Sequence, residues 1–357
     1  MSQSRTIVVV GGGSGGHVYP VLAVVDALKA IDPTLQFVYF GQIGGREHEI
    51  VTHAGLLFIG IHAEKLRRYW DLRTILVPVK IAQGIVESLT ALARLRPAAV
   101  FAKGGYVVFP VAVAAWLLGI PVVVHETDSI MGLANRLIAP FARRVAVSFP
   151  RPGTSAAPKF VYTGLPILRR FHAPEIIDRN QPHDRPELLI TGGSQGAQPL
   201  NTIVAGALPD LTKRYHVTHI TGPDDFSRMR QTFEHRNYEP VGYTDRMPEL
   251  MAAADLVISR AGGTIFELAA LAKPAILIPL PTAGNDHQRA NASVLAERHA
   301  AMVLEQAEAT PERLTELVTT LLRDDKERAR LGTRIKQFDR PDAADRVAHL
   351  ILQVAKR

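Results

Sequence analysis

Two glycine-rich turns carry most of the chemical potential of this chain. The first lies in Val8-Val-Val-Gly-Gly-Gly-Ser-Gly-Gly-His17, the second in Leu188-Leu-Ile-Thr-Gly-Gly-Ser-Gln-Gly-Ala197. Each follows a β-branched run and opens a segment of helical period. A helix start offers unpaired N–H groups and the positive end of the helix dipole, which suits a phosphate or a reacting oxyanion. Ser14, Gly15 and Gly16 in the first turn, and Ser194, Gln195 and Gly196 in the second, are therefore candidate anion-binding residues. His17 ends the first turn. The dipole there favours the neutral imidazole, which can take a proton, so His17 is a candidate general base.

Gly11, Gly13 and Gly16 also satisfy the G-x-G-x-x-G spacing of dinucleotide-binding folds. That reading needs an acidic residue at the tip of the second strand to hold the ribose. The second strand, at 37–40, runs into Gly41-Gln42, and the first acidic residue beyond it is Glu47. A nicotinamide cofactor is therefore disfavoured.

The elements that must position these turns alternate along the whole chain. Strands are expected at 6–10, 37–40, 57–61, 99–102, 122–126, 144–148 and 159–162. After a polar, proline-containing stretch they resume at 187–191, 216–220, 240–243, 256–259, 275–278 and 301–304. Helical patterns lie between most of them, and a last helix is expected from Pro341. This alternation is the signature of parallel α/β sheets. The fold class expected is α/β, with two doubly wound Rossmann-like domains facing a cleft. The boundaries expected are 1–168 for the N-terminal domain, 169–185 for a linker and 186–339 for the C-terminal domain. Residues 340–357 form a final helix returning to the first domain. In such sheets ligands bind beyond the carboxyl ends of the strands. Polar, glycine-rich segments follow predicted strands at 11–17, 103–106, 125–128, 192–196, 260–263 and 282–288.

The 357 residues are 47% hydrophobic and include no cysteine, which excludes disulfides, thiolate metal sites and cysteine nucleophiles. The N-terminus is polar for four residues before the first strand, so no secretory signal is expected. The longest apolar stretch, 107–124, is broken by Pro110, Gly119 and Pro121 and does not read as a membrane span. Net charge is +7 and uneven: residues 1–180 hold 19 Lys/Arg against 11 Asp/Glu, the remainder 22 against 23. The first half thus faces an anionic partner. Aromatics are only 6% and show no basic-aromatic stripe, so an anionic membrane surface is expected and nucleic acid is not.

Six motifs in fixed order carry a family resemblance. They are Gly12-Gly-Ser-Gly-Gly-His17, Gly104-Gly-Tyr106, His125-Glu-Thr-Asp128, Gly192-Gly-Ser-Gln-Gly-Ala197, Arg260-Ala-Gly-Gly-Thr-Ile-Phe-Glu267 and Asp286-His-Gln288. Over nearly its whole length the chain resembles the MurG family, the lipid I N-acetylglucosaminyltransferases of bacterial peptidoglycan synthesis. The resemblance implies a glycosyltransferase-B fold whose C-terminal domain binds UDP-N-acetylglucosamine. It implies that the N-terminal domain takes lipid I, the lipid-linked muramyl-pentapeptide, at the cytoplasmic face of the cell membrane as a peripheral protein.

On the donor side, a carboxylate accepts two hydroxyl protons, so Glu267 is a candidate ribose clamp. Gly262, Gly263 and Thr264 open its helix and, with Ser194, are candidates for the diphosphate. Asp286, His287 and Gln288 are candidate readers of sugar hydroxyls, with Asp286 also an ordinary N-cap. Tyr243 matches the residue whose backbone meets uracil in the family. On the acceptor side a sugar hydroxyl is a poor nucleophile at neutral pH and needs a base. His17 is the first candidate, with Glu126 and Asp128 as alternatives, and Tyr106 positions the acceptor. No obligatory metal or other cofactor is expected.

Two departures stand out. The family usually has Asn where Asp128 stands, and Gly-Asn-Pro-x-Arg where this chain reads Gly164-Leu-Pro-Ile-Leu168. Arg169 is the adjacent substitute for the missing arginine. For membrane docking, the expected face combines Tyr69, Trp70, Ile75, Leu76 and Val79 with Arg67, Arg68, Arg73 and Lys80. Trp116, Arg143 and Arg144 match other parts of the family's membrane face. The alternatives are a UDP-sugar 2-epimerase of the same architecture and a non-catalytic sugar-nucleotide-binding protein.

Overall fold

The computed structural model describes residues 5–12, 15–45, 47–64, 77–150, 159–174, 185–193, 195–281 and 286–355. The chain divides into two compact units, residues 1–168 with 342–357, and residues 169–341.

In the first unit the β-branched runs become β1 (Thr6–Val10), β2 (Gln36–Gln42), β3 (Leu57–Ile61), β4 (Ala99–Ala102), β5 (Val122–Glu126), β6 (Arg144–Val147) and β7 (Phe160–Tyr162). All pairings are parallel, in the order β3-β2-β1-β4-β5-β6-β7. The helices between them are α1 (Gly15–Ile31), α2 (Glu47–His53), α3 (Val77–Leu95), α4 (Val108–Leu117) and α5 (Leu133–Ile138). Alternate strand residues feed two cores. Val8, Val10, Val100 and Val124 pack with α4, while Ile7, Val9, Phe101 and Val123 pack with α1. A sheet buried on both faces explains why its strands read as continuous apolar runs.

The second unit has β8 (Glu187–Thr191), β9 (His216–Ile220), β10 (Tyr238–Val241), β11 (Leu256–Ser259), β12 (Ala275–Leu277) and β13 (Met302–Val303). They are parallel in the order β10-β9-β8-β11-β12-β13. Its helices are α6 (Gln198–Leu211), α7 (Phe226–Thr232), α8 (Met247–Ala253), α9 (Thr264–Ala270), α10 (His287–Glu297), α11 (Pro311–Arg323) and α12 (Asp325–Ile335). Helix α13 (Ala343–Val354) belongs to the first unit, where Val347, Ala348 and Ile351 join the core under α1.

Differences from the sequence expectation are local. Strand β2 runs on through Gly41 and Gln42, which pair with Gly60 and Ile61. Strand β10 begins two residues before Pro240, the start expected from sequence. It is an edge strand, where a proline without an N–H is tolerated. Residues 169–171, expected in the linker, form a 3₁₀ turn of the second unit, and 175–184 lie outside the described residues.

Candidate active site

Each sheet reverses its strand order once, between β1 and β4 in the first unit and between β8 and β11 in the second. Connections diverge at such a switch point and leave a crevice beyond the strand ends, the usual ligand site of open α/β sheets. Both glycine turns stand at these positions.

In the first unit Tyr39 Oη donates to Gly11 O beneath the β1 turn, and Lys103 N–H donates to Val10 O at 2.8 Å. The β1 and β4 turns pack tightly at Gly12 and Gly105: a Cβ on Gly105 would stand 2.7 Å from Gly12 O. His17 is the third residue of α1 and is partly buried. Its Cε1 is 3.7 Å from the place a Cβ on Gly104 would take, so the ring lies over the β4 turn. Gly15 and Gly16 precede it in the first turn of α1, whereas Ser14 lies outside the described residues. Tyr106 is half-buried and donates its hydroxyl to Gln42 Oε1, while the Gln42 side-chain amide donates to Ala63 O at 3.2 Å. Burial pushes the Tyr106 hydroxyl up, and the carboxylates of Glu47 and Glu64 add to this.

Glu126, at the end of β5, is buried and heavily engaged. Its carboxylate accepts from Asp128 N–H at 3.0 Å, Gly132 N–H at 2.9 Å and Asn135 Nδ2 at 2.9 Å. Both oxygens therefore hold the 127–132 loop in place. Asp128 follows on that loop, partly buried. His125 is fully buried with Nε2 3.0 Å from Gly164 O; burial and then the Lys103 charge hold its pKa well below the usual histidine range.

Three residues at this site escaped the sequence reading. Gln42 orients Tyr106. Asn135 is buried in α5, donates to Glu126 and to His125 O, and stands 3.3 Å from the Cβ position of Gly104. Its sequence signal is an amide inside the apolar helix Leu133-Ala-Asn-Arg-Leu-Ile138. The third, Lys103, is buried behind the same turn.

In the second unit Gly193 N–H donates to Thr191 Oγ1 at 3.1 Å, and Gly196 adopts φ 73°. A Cβ on Gly196 would stand 2.0 Å from Thr221 O, so only glycine lets this turn close on the end of β9. Beneath it, buried Asn201 donates to Thr221 O and to Asp225, and His219 meets Asn201 and Tyr238. Burial lowers His219 to about 3, so the network is built on neutral imidazole. Gln195 is exposed on the turn; Ser194 lies outside the described residues.

After β11, Arg260 turns inward and donates to Ile278 O at 2.9 Å and Gln306 Oε1 at 2.8 Å. It supports the loop from below. Asn291 of α10 donates to Ala261 O at 3.0 Å and fixes the same loop from the side. Gly262 has open space at its Cβ position, Gly263 stands at the N-cap of α9 and Thr264 begins the helix. Glu267, one turn in, is partly exposed, yet its dense surroundings push its carboxyl up to about 7, with Arg170 pulling the other way. The charge of Arg170 reaches Glu267; Arg169, expected beside Leu168 to meet the donor, is its neighbour, and both are exposed on the 3₁₀ turn.

Asp286 does not cap α10 as an ordinary N-cap would. Its backbone is left-handed at φ 56°, it makes no cap bond, and its carboxylate pairs with Arg289 at 2.8 Å. Gln288 Oε1 accepts from Leu280 N–H at 2.9 Å and ties the helix start to the end of β12. His287 is partly buried between them, and Tyr243 is exposed ahead of α8.

Most of the segment expected to meet a membrane, from Arg67, Arg68, Tyr69 and Trp70 to Arg73, Ile75 and Leu76, lies outside the described residues. Of the rest, Val79 is exposed, Lys80 pairs with Glu64 at 2.7 Å, and Trp116 is 54% exposed with its ring 5.5 Å from that of Phe141. Leu117, Leu133 and Leu137 are exposed on α4 and α5, which pack together. Arg143 is exposed and Arg144 partly so. Among the described residues no helix is long and apolar enough to cross a membrane, and no group of three metal-ligating side chains occurs.

Two parallel sheets, each with a glycine turn at its switch point, form a two-domain α/β fold of the glycosyltransferase-B type. Residues 7–147 match the glycosyltransferase family 28 N-terminal domain and residues 187–347 its C-terminal domain. A relative from Clostridium kluyveri is 37% identical over 97% of this chain and 99% of its own. One from Bacillus licheniformis is 34% identical over 98% of each. Both are named UDP-N-acetylglucosamine–N-acetylmuramyl-(pentapeptide) pyrophosphoryl-undecaprenol N-acetylglucosamine transferase. The crystal structure of Acinetobacter baumannii MurG superposes with TM-score 0.75 at 29% identity, covering 98% of this chain and 99% of that one. A UDP-GlcNAc 2-epimerase from Neisseria meningitidis shares the fold, at TM-score 0.72 and 13% identity, over 98% of this chain and 100% of its own. The chain belongs to the MurG family.

Proposed function

We propose that this protein transfers N-acetylglucosamine from UDP-N-acetylglucosamine to lipid-linked muramyl-pentapeptide, converting lipid I to lipid II with inversion in peptidoglycan synthesis. The observation that carries the site reading is the gathering of His17, Tyr106, Asp128 and the buried Glu126 clamp around one switch point. In this reading His17 takes the proton from the acceptor hydroxyl as it attacks the sugar C1, and UDP leaves. Glu126 is already engaged by three donors, so it shapes the loop, and Asp128 is the alternative base. Glu267 clamps the ribose, and Gly262, Gly263 and Thr264 meet the diphosphate with Gln195 and Gly196. Tyr243 meets the base, and Asp286, His287 and Gln288 face the sugar. Arg170 joins Arg169 as a candidate for the missing donor arginine. The anionic membrane surface is met by the exposed apolar side chains of α4 and α5 with Arg143 and Arg144, and by the basic segment at 66–80.

Incubation with UDP-N-acetylglucosamine, with and without lipid I, separates the readings. UDP release that requires lipid I supports the transferase. Epimerised sugar nucleotide without lipid I supports the epimerase, and binding without turnover a non-catalytic protein. His17→Ala is expected to lower turnover about 100-fold or more while leaving donor affinity intact. Full transfer activity in that variant removes His17 from the mechanism.

A further inference from the structure

Lys103 immediately follows β4 and is 1% exposed. An ammonium is costly to bury unless opposite charge and hydrogen bonds compensate it. Here Nζ donates to Thr127 Oγ1, and the nearby carboxylates of Glu126 and Asp128 both favour the charged form. Thr127 stands between those two acids, and the next residue after Lys103 is Gly104, against which the His17 ring and Asn135 are set. One buried cation thus joins the β4 turn, which faces His17, to the β5 loop, which bears Asp128.

We propose that Lys103 is a positioning residue of the acceptor site: its ammonium is the buried counter-charge to the carboxylates of Glu126 and Asp128 on one loop, and through Thr127 it sets that loop against the turn facing His17. The inference rests on reading this switch point as the acceptor site. It also accounts for the aspartate at 128, where the family usually has a neutral asparagine. The added negative charge lies beside Glu126 and has a buried partner.

The charge is conditional. Burial brings Lys103 down to about 8 against the pull of Glu126 and Asp128. The ammonium is present at neutral pH and lost as pH rises through about 8. The titratable groups facing it are Glu126, Asp128 and His125, which is held neutral, with His17 beyond Gly104. Because the folded value lies below the unfolded one, this deprotonation favours the folded state between about 8 and the usual lysine range. Alkaline loss of activity from this group is therefore separable from unfolding.

The test compares Lys103→Met, Lys103→Arg and Thr127→Val by kcat/KM for lipid I across pH, with UDP-N-acetylglucosamine affinity as control. Lys103→Met is expected to lose tenfold or more in kcat/KM for lipid I with donor affinity unchanged and to lack the alkaline limb near pH 8. Lys103→Arg keeps most of the activity and moves the limb upward, and Thr127→Val, which removes the hydroxyl that Lys103 meets, lowers kcat/KM for lipid I with donor affinity unchanged. A Lys103→Met or Thr127→Val variant with wild-type kcat/KM, or an unmoved limb in Lys103→Arg, overturns the proposal. If Lys103→Met does not fold, the arginine and Thr127→Val variants decide alone. His17→Ala separates the two levels. If it keeps full transfer the acceptor-site reading fails, whereas if it loses transfer while the Lys103 series is silent, only the role of Lys103 fails.

Discussion

Glu267 is the residue whose chemistry is most exposed to measurement. Its carboxyl titrates near 7 because burial penalises the charge. A ribose clamp at this position would need the ionised form, which accepts two hydroxyl protons. Affinity for UDP-N-acetylglucosamine is therefore expected to rise about tenfold from pH 6 to pH 8, as the competent fraction rises. The doubly esterified diphosphate does not itself titrate there. Glu267→Gln should weaken binding and flatten the profile in calorimetry; a wild-type profile already flat would remove the clamp. The sign for stability is opposite: a raised carboxyl favours the folded state at low pH, and that contribution fades as pH rises through about 7. Arg170, whose charge reaches Glu267, gives a second expectation. Arg170→Ala should push the Glu267 titration higher and weaken donor binding at neutral pH, and a pH profile identical to wild type would exclude it. The types and spacing of Glu267, His17 and Tyr106 were legible in sequence because each closes a strand-end motif. Lys103 and Asn135 were not, since burial behind a turn depends on which strands become neighbours. Asp286 misled for a local reason: an aspartate before a helix reads as a cap, and only its left-handed backbone shows that it turns to Arg289 instead.

At the scale of elements, continuous β-branched runs made the strands legible, and β1, β3, β4, β5, β8, β9 and β11 fall where the pattern put them. Errors fell at ends, where Pro240 resembled a boundary and the pairing of Gly41 and Gln42 with β3 could not be read from composition. The glycine turns are the elements most sensitive to change. Gly196→Ala puts a Cβ 2.0 Å from Thr221 O at φ 73°, so the turn must open. The expected result is a loss of roughly 1–3 kcal/mol in stability from the strained conformation, together with weakened donor binding. Equal thermal midpoints and equal donor affinity would show that the turn accommodates the methyl group.

Among the described residues, most of the exposed large apolar side chains lie in the half of the chain that carries the positive charge. Residues 1–180 carry the positive excess, and Trp116, Leu117, Leu133 and Leu137 are exposed in that half. Each basic side chain near an anionic surface adds about 1 kcal/mol, and apolar side chains insert at the interface. Exchanging Arg67, Arg68 and Arg73 for Glu should abolish sedimentation with anionic vesicles, and Trp116→Ala with Leu133→Ser should weaken it. Transfer to a short-chain soluble acceptor should survive in both, because such an acceptor reaches the site without a membrane. Unchanged vesicle binding at every salt concentration would dismiss this surface.

The two units also differ in how the chain supplies them. Residues 169–341 are contiguous, whereas the first unit is completed only by α13, which packs on α1. On a translating ribosome the second unit can therefore close as soon as its own residues emerge. The first must wait, with the α1 face that receives Val347 and Ile351 uncovered, until α13 itself has been made. The earlier-made half of the protein is the later one to mature, and it depends on whatever shields that helix in the interval.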